Sequence, residues 1–551
     1  MKATYILPLL VLLLFLSSCE DDFLDRAPSV NLSEEEIFAD PLLASRFADN
    51  AYNHLIDDYA RFNSHRGTTS QASDEAVSGN NDVSVRTLNL GTYHDHYERG
   101  GASLNDISDV WNRAYAGIRV TNVVLSKMNQ VPWTGNPSPA RINGEMHFIR
   151  AFLYFELIKR FGGVPIIDKP YGIYEPINLP RASYEEVVDF ILQDLDEAEV
   201  GLPEEYPVSD YGRATKGAAM ALRSRVLLYA ASPLHNAAHD KTKWEAAAAA
   251  AKAVIDLKKY SLQETYADIL NKAQSPEYIM IKIRGPRSRT GYLIDFLMSP
   301  GSGGAQGQFN PTQNHVDLYE MKATGKPIQE AGSGYNPQKP YEGRDPRFYA
   351  NILYNDAPWQ GRRMEMWDGG RDYRAGNPNY TATRYYNRKL WPEVYTNTST
   401  QTALVNFVFF RYAEILLNFA EAQNEAVGPD ASVYEAVNVV RARTSVGMPP
   451  LPANLTQQEM RARIRNERAV ELAFEDHRWY DIMRWKAGPE TVAKPMYGMD
   501  VVRNPNGSFT YTPVLLPTTM QKVYLDYMHL YPIPRPEIWK SNGTLVQNPG
   551  W

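Results

Sequence analysis

A chain of 551 residues with 44% hydrophobic and 22% charged residues has the composition of a globular protein with a full apolar core. Its formal net charge of -7 argues against non-specific binding of nucleic acid, which requires a basic surface. The 35 tyrosines greatly outnumber the 19 phenylalanines. Because tyrosine joins a flat apolar face to a polar tip, this composition suits a sugar-binding surface as well as a large helical core.

The N-terminus has the pattern of a secretory signal. Lys2 precedes an apolar run from Tyr5 to Leu16, and small residues then lead to Cys19. A positive start, a short apolar run and small residues predict a signal peptide over residues 1–18. The run is shorter than the ~20 residues needed to span a bilayer, so it does not predict a mature membrane helix.

Cys19 is predicted to carry the lipid of a bacterial lipoprotein. It is the only cysteine, so it has no disulfide partner, and it stands where such a signal places the acylated residue. Residues 19–33 would form the lipid-anchored tether. The acidic run Glu20-Asp21-Asp22 resembles the surface-export signal of some Gram-negative lipoproteins, although acidic residues also solvate a flexible tether. The expected location is the outer membrane, facing the cell exterior.

Helical periodicity predicts a mainly α-helical fold. Small residues along paired helices, with Trp or Tyr near their starts, resemble tetratricopeptide units, but their uneven spacing makes the repeat degenerate. Ser183, with Glu186 three residues later, predicts a capping box at one helix start. About four helix pairs are expected. The predicted helices span 34–59, 105–128, 140–161, 183–202, 215–231, 243–257, 410–427, 431–444 and 456–485.

Two long insertions interrupt this scaffold. We divide the body into a scaffold over 34–274 with an insertion at 61–101, a loop-rich inserted segment over 275–400, and a second scaffold part with a C-terminal segment over 401–551. The inserted segment is rich in Gly, Pro and Tyr and shows no sustained helical period. Loops of this length are usually functional or disordered, and the aromatic content favours function.

Acidic residues on the last predicted helix raise the alternative of an exported glycoside hydrolase. Four charged residues fall on one helical face: Glu467, Glu471, Glu475 and Arg478. Two carboxylates four residues apart could meet the ~5–10 Å separation of glycosidase acids. However, each acid has an arginine within reach: Arg468 precedes Glu471 by three residues, Arg478 follows Glu475 by three, and Arg484 follows Asp481 by three. Nearby arginines lower a carboxyl pKa, so a structural ion-pair network is favoured, which Arg411 and Glu414 are expected to join.

Histidines give two weak metal motifs, and no metal or cofactor is predicted. His235 and His239 have the spacing of a helical metal pair, but they follow Pro233 and have no third ligand nearby. The stretch Tyr93-His94-Asp95-His96-Tyr97 fits a sugar-facing loop better than a metal site. The common nucleophile, phosphate and dinucleotide motifs are absent from the sequence.

Motifs along the chain resemble one known family. In order, they are Phe23-Leu24-Asp25 after Cys19, Phe161-Gly162-Gly163-Val164-Pro165, Gly212-Arg213-Ala214-Thr215, Arg344-Asp345-Pro346-Arg347-Phe348, Arg411-Tyr412-Ala413-Glu414, Asn466-Glu467-Arg468, Arg484-Trp485 and Tyr531-Pro532-Ile533-Pro534. This series resembles the SusD/RagB-type nutrient-binding outer-membrane lipoproteins nearly end to end.

The resemblance implies a mainly α-helical protein with four tetratricopeptide-like units. It further implies a non-catalytic glycan-binding protein that caps a SusC-like TonB-dependent outer-membrane transporter and delivers oligo- or polysaccharide to it. Peptide binding on the same scaffold is the alternative, since the family also serves peptide uptake.

No motif fixes the ligand site, so its residues are predicted from chemistry alone. Aromatic and basic residues in the two insertions are expected to meet over the scaffold in a shallow groove. The candidate ligand-binding residues are Arg86, Tyr93, His94 and Tyr97 in the first insertion, and Trp359, Trp367 and Tyr373 in the second.

Overall fold

The computed structural model describes residues 32–57, 59–62, 67–79, 83–95, 108–135, 137–172, 175, 178–288, 307–394 and 402–551. The predicted signal peptide, Cys19, most of the tether and Tyr97 lie outside these residues. Most of the regular structure is helical, which confirms the mainly α-helical class. The helices are Glu34–Ala39, Pro41–Asp49, Val83–Asn89, Ser108–Lys127, Pro139–Phe161, Tyr184–Gly201, Lys216–Ala231, Lys241–Asp256, Gln313–Val316, Pro346–Asn351, Tyr412–Val427, Ala431–Arg441, Gln457–Glu471, Arg478–Arg484, Gly488–Thr491 and Arg535–Lys540.

Helix starts follow the capping chemistry in the sequence. Ser183 forms the predicted capping box: its hydroxyl accepts from the Glu186 amide at 3.1 Å, and the Glu186 carboxylate accepts from the Ser183 amide at 2.7 Å. Ser138 caps the helix Pro139–Phe161. Proline suits the first position of a helix, because a backbone N–H at that position would have no partner within the helix.

The first predicted helix, over 34–59, is wrong as a single element. It is two helices, Glu34–Ala39 and Pro41–Asp49, followed by the 3-10 helix Asn50–His54. Asp40 adopts an extended conformation between them and caps the second helix with its carboxylate. Pro41 explains the break, since the residue before a proline is disfavoured in the helical region.

The last predicted helix, over 456–485, is also wrong as a single element. The helix Gln457–Glu471 ends, and Arg478–Arg484 begins only after a turn in which Phe474 and Asp476 have φ of +64° and +68°. Such a conformation is costly for residues other than glycine, so tertiary contacts must hold this turn. Glu475 is therefore not on the helix that carries Glu471.

The long helices stack in sequence order, each against the next. Pro139–Phe161 packs on Tyr184–Gly201, and Lys216–Ala231 packs on Lys241–Asp256. The first contact is very close, because a Cβ on Gly144 would lie 2.9 Å from the Leu202 amide nitrogen. The series continues across the inserted segment, since Lys241–Asp256 packs directly on Tyr412–Val427.

Short antiparallel strand pairs lie within the inserted and C-terminal segments, between the two insertions, and between the inserted segment and the scaffold. The described pairs are Ala60–Phe62 with Gly67–Thr68, Ala76–Ser78 with Phe309–Pro311, Tyr278–Lys282 with Phe407–Arg411, Arg287–Ser288 with Thr402–Ala403, Ile352–Leu353 with Tyr386–Asn387, Pro358–Trp359 with Arg362–Arg363, and Tyr497–Arg503 with Phe509–Leu515. The second pair joins the two insertions, and the third closes the inserted segment at its base. Phe407–Arg411 also replaces the first turn of the helix predicted over 410–427, which begins at Tyr412.

One contiguous apolar core runs through the scaffold and the inserted segment. Phe152 of the scaffold meets Phe409 edge to face, with ring centroids 5.4 Å apart. Within the described parts of the chain, no helix combines the length and the apolar character needed to cross a membrane.

Candidate functional site

A turn in the inserted segment holds Trp367 and Tyr373 at the surface. Asp372 is fully buried and accepts from both terminal nitrogens of Arg362, at 2.5 and 2.6 Å. It also accepts from the Glu365 amide at 2.9 Å. Because this carboxylate ties the two arms of the turn together, Trp367 and Tyr373 remain partly exposed in a fixed position.

The hairpin formed by Tyr497–Arg503 and Phe509–Leu515 packs against this turn. The Phe509 ring lies 5.2 Å from the Trp367 ring, and the Arg503 guanidinium lies 5.2 Å from the Trp367 ring centroid. Tyr511 follows on the same face of its strand, 6.3 Å from Phe509. Its ring also contacts the buried Tyr341 at 5.1 Å, so this row of rings is anchored in the core.

Arg384 fixes the polar side of the same surface. Its guanidinium stacks over the Tyr373 ring, 3.3 Å from the centroid. It donates to the Met366 carbonyl at 2.7 Å and to the Asp500 carboxylate at 2.9 Å. Partial burial raises the pKa of Tyr373, so its hydroxyl keeps its proton, as a hydrogen-bond donor must, at neutral and mildly alkaline pH.

We name this surface the hairpin cluster. It offers partly exposed aromatic rings next to guanidinium, carboxylate and hydroxyl groups held in place, a combination that suits a sugar ring with its hydroxyl edge. Its members are Trp367, Tyr373, Arg384, Asp500, Arg503, Phe509 and Tyr511.

Tyr93 of the first insertion lies away from the hairpin cluster. Tyr93 is only 2% exposed, and its ring packs against Trp551 at 4.7 Å and Tyr531 at 6.2 Å. It is thus a core residue of the C-terminal segment, and its assignment as a stacking ring is wrong. His94 is exposed and Arg86 is partly buried, while Tyr97 is outside the described residues.

Trp359 is likewise no stacking ring. It is 2% exposed, lies in the strand pair Pro358–Trp359 with Arg362–Arg363, and is covered by the Arg388 guanidinium at 5.3 Å. Of the six predicted residues that the structure describes, Trp367 and Tyr373 are the two that lie in one aromatic surface. The expected joint groove of the two insertions is not formed by the described candidates, because Tyr93 packs on the C-terminal segment and Trp367 on the hairpin.

The sequence analysis missed a tyrosine-lined cleft between scaffold loops and the strand Tyr278–Lys282. A cavity of about 490 Å³ is bordered by Tyr206, Tyr211, Tyr260 and Tyr278. Lys259 at its rim lies 3.8 Å from Glu204 and 3.6 Å from Glu205. The signal was two tyrosines in the loop directly before Gly212-Arg213-Ala214-Thr215, a motif that we used only for the resemblance.

Glu471 is the centre of a buried network of charges. Its carboxylate accepts from Arg443 at 2.6 Å, Arg411 at 2.8 Å and Arg347 at 3.0 Å. Arg411 therefore joins the network, as predicted. Its other members are Glu277, Glu320, Asp345, Lys389, Arg441, Glu467 and Glu475.

The electrostatics of this network oppose acid catalysis. Burial by itself would raise the pKa of Glu471, but the guanidinium groups of Arg443 and Arg411 outweigh it and hold the pKa well below its usual range. The pKa of Glu475 is lowered in the same way, by Arg411 and Lys389 against burial. A general acid needs a raised pKa, so this geometry supports the structural interpretation of these acids.

The partners predicted from helical spacing are partly wrong. Arg468 pairs with Asp481 at 3.1 Å instead of Glu471, and Arg478 pairs with Asp74 of the first insertion at 2.9 Å instead of Glu475. The end of the helix at Glu471 explains the second error, because i,i+3 neighbours exist only within one helix. Arg468 does lie on the helix of Glu471, but its guanidinium donates to Asp481 and Asn418.

The ion pairs of Arg484 and Glu414, two further residues of the predicted network, differ from each other. Arg484 does pair with Asp481, at 2.8 Å, and also with Glu421 at 2.5 Å. Glu414 instead forms a separate pair with Arg225 of a scaffold helix, at 2.6 Å. The ion pairs thus join helices that are distant in sequence.

We expect these carboxylates to make stability fall steeply in acid. The pKa values of Glu471, Glu475 and Asp481 are lowered, so the stabilisation is present above the unfolded values of about 4 and is lost as the pH falls through the folded values. Urea unfolding followed from pH 6 to pH 3 should show a drop on the order of several kcal/mol. Since buried pairs are screened little, 0.5 M salt should leave the drop in place, and a flat profile would contradict the expectation.

Of the two predicted histidines, His235 packs against a ring, whereas His239 is exposed. His235 stacks on Tyr184 with ring centroids 3.4 Å apart, and burial lowers its pKa to about 3. Among the described residues, no three His, Cys, Asp or Glu side chains are grouped so as to hold a metal ion.

The fold is a helical-repeat scaffold that carries a loop-rich inserted segment, and the hairpin cluster is the candidate binding surface on it. The model of the SusD family matches residues 266–551, and a second model, described as starch-binding associating with outer membrane, matches residues 22–228. The chain belongs to the SusD family.

Individual relatives agree with this assignment. The SusD-like protein P25 of Formosa agariphila is 26% identical over 76% of this chain and 77% of its own length. A SusD-like protein of Bacteroides fragilis has a solved structure that is similar with a TM-score of 0.78 and 29% identity, over 96% of this chain and all of that one. A structure named as a SusD-like carbohydrate-binding protein, also of B. fragilis, shares the fold with a TM-score of 0.77 at 22% identity, over 92% and 99% of the two chains.

Proposed function

We propose that this chain is a non-catalytic, lipid-anchored glycan-binding protein of the outer cell surface, which captures oligo- or polysaccharide and delivers it to a SusC-like TonB-dependent transporter. Membership of the SusD family, the outer-membrane description of the model over residues 22–228 and the carbohydrate-binding neighbour support this proposal. The anchor would be Cys19.

The observation that carries the proposal is the hairpin cluster. A pyranose presents an apolar C–H face and a rim of hydroxyl groups. Trp367 offers a partly exposed ring, and Asp500 and Arg384 hold charged atoms beside it. Stacking would remove apolar surface from water at ~25 cal/mol per Å², and each hydroxyl hydrogen bond would add ~0.5–1.5 kcal/mol net.

Calorimetry with the Trp367→Ala variant tests this proposal. The wild-type protein should bind at least one member of a panel of neutral oligosaccharides, with a free energy of roughly -4 to -8 kcal/mol. Removing the indole should weaken that binding about tenfold, because the lost contact contributes roughly 1–2 kcal/mol. The melting temperature should change little, since the ring is only partly buried.

Trp539 provides the matched control. It is an indole with 63% of its surface exposed, on the helix Arg535–Lys540 near the first insertion. Trp539→Ala should leave glycan affinity unchanged. Loss of binding in this variant and not in Trp367→Ala would overturn the hairpin cluster as the site, and binding of peptides without any glycan would overturn the proposed ligand class.

A further inference from the structure

A second cavity, of about 500 Å³, lies within the helical scaffold. It is bordered by the ends of several helices and the loop that follows Lys216–Ala231, and it shares no residue with the hairpin cluster or the tyrosine-lined cleft. Its lining includes His239, Trp244, Glu425, Ala462, Arg465 and Trp485. We name it the tryptophan cavity. Nothing in the proposed function uses it.

Arg465 is the unusual group in this cavity. Its guanidinium stacks on the Trp485 ring, 4.5 Å from the centroid. Its Nε atom is buried without a hydrogen-bond partner, and among the described residues the side chain forms no ion pair. A buried guanidinium donor left unpaired is costly, because it loses hydration without compensation. In accord with this geometry, burial lowers the pKa of Arg465.

The acids that line the cavity already have partners. Glu425 accepts two hydrogen bonds from Arg461, both at 2.5 Å. Glu421 accepts from Arg484 at 2.5 and 2.7 Å and from the Trp485 indole at 2.7 Å. These carboxylates act on Arg465 through space, but their hydrogen bonds go to Arg461, Arg484 and Trp485, so Arg465 has no ion pair of its own among the described residues.

We propose that the tryptophan cavity is a subsite for a saccharide residue that bears a carboxylate, of the hexuronate class. The carboxylate pairs with the Arg465 guanidinium, whose planar fork matches it in a bidentate manner. The sugar ring lies against the cavity edges of Trp244 and Trp485. The proposal rests on the proposed function in that the ligand is a glycan, and adds a second site and an acidic class of ligand.

Calorimetry with three small probes tests it: methyl β-D-glucuronide, methyl β-D-glucoside and N-acetylglutamate, at low ionic strength. The full-length protein should bind the glucuronide in preference to the other two. Arg465→Gln should weaken glucuronide binding about tenfold or more, the loss expected for a charge-assisted bidentate pair. Arg374→Gln is the matched control, because Arg374 also covers an aromatic ring, that of Tyr380 at 5.3 Å, but lies outside the cavity.

A second variant keeps the Arg465 guanidinium and gives it a carboxylate partner from within the protein. Ala462 lies three residues before Arg465 on the helix Gln457–Glu471 and lines the same cavity. Ala462→Glu therefore supplies an internal carboxylate at i,i+3. This variant should lose glucuronide binding while its melting temperature is kept or raised.

The outcomes separate this proposal from the proposed function. Absence of glucuronide binding by the wild-type protein, or equal binding by Arg465→Gln, would overturn the subsite. Equal binding of N-acetylglutamate would overturn the saccharide class. Trp367→Ala should weaken only neutral oligosaccharides and Arg465→Gln only the glucuronide, so each failure is recognisable by itself.

Discussion

Replacing Glu471 with alanine is expected to lower the free energy of unfolding by about 3–5 kcal/mol. The change leaves the guanidinium groups of Arg347, Arg411 and Arg443 without their shared carboxylate in a site where Glu471 is 0% exposed. An uncompensated buried charge costs far more than the contact itself contributes. Urea or thermal unfolding measures the loss.

Asp256→Ala is the control for this prediction. Asp256 pairs with Lys252 at 2.7 Å, but both side chains are more than half exposed, so its loss should cost less than about 1 kcal/mol. Reducing-sugar release should be undetectable for the wild-type protein and for Glu471→Ala. Hydrolysis by the wild type that disappears in the variant would contradict the structural role of Glu471.

Replacing Cys19 with alanine is expected to move the protein almost completely from the membrane fraction to the soluble one. Cys19 supplies the chain's only thiol for acylation, and no described helix provides another membrane anchor. Detergent phase separation measures the distribution, and unchanged partitioning would contradict the lipoprotein assignment.

Replacing Glu20, Asp21 and Asp22 with alanine should keep the lipid and reduce cleavage by protease added outside the cell.

The sequence predicted the parts of the fold that depend on interactions between residues close together in the chain. The helix after Ser183 begins at the expected residue, because its cap is formed by the hydroxyl and Glu186 within one turn. The turn at Phe474 and Asp476 was missed, since distant contacts hold it: the Phe474 amide donates to Glu75. The hairpin of Tyr497–Arg503 and Phe509–Leu515 was missed although Asn506-Gly507 between alternating strands is a strong turn signal.

The candidate site was predicted only in part, because the exposure of an aromatic side chain also depends on residues distant in the chain. Aromatic residues in a Gly- and Pro-rich segment look alike in sequence, whereas burial depends on what packs over them. Trp359 is 2% exposed, whereas Trp367 keeps part of its surface exposed beside the hairpin. Ion-pair partners are equally hard to predict from sequence: Arg478 pairs with Asp74, which lies 404 positions away in the chain.

The strand pair at the base of the inserted segment has an evolutionary consequence. Because Arg411 stands opposite Tyr278, the chain leaves the helical frame and returns to it at one place. The entropic free-energy cost of closing such a loop grows only slowly with its length, by about 0.6 kcal/mol for each doubling. The frame therefore tolerates replacement or lengthening of this segment at a small entropic cost, and under the proposed function such changes would alter ligand recognition while the frame is kept.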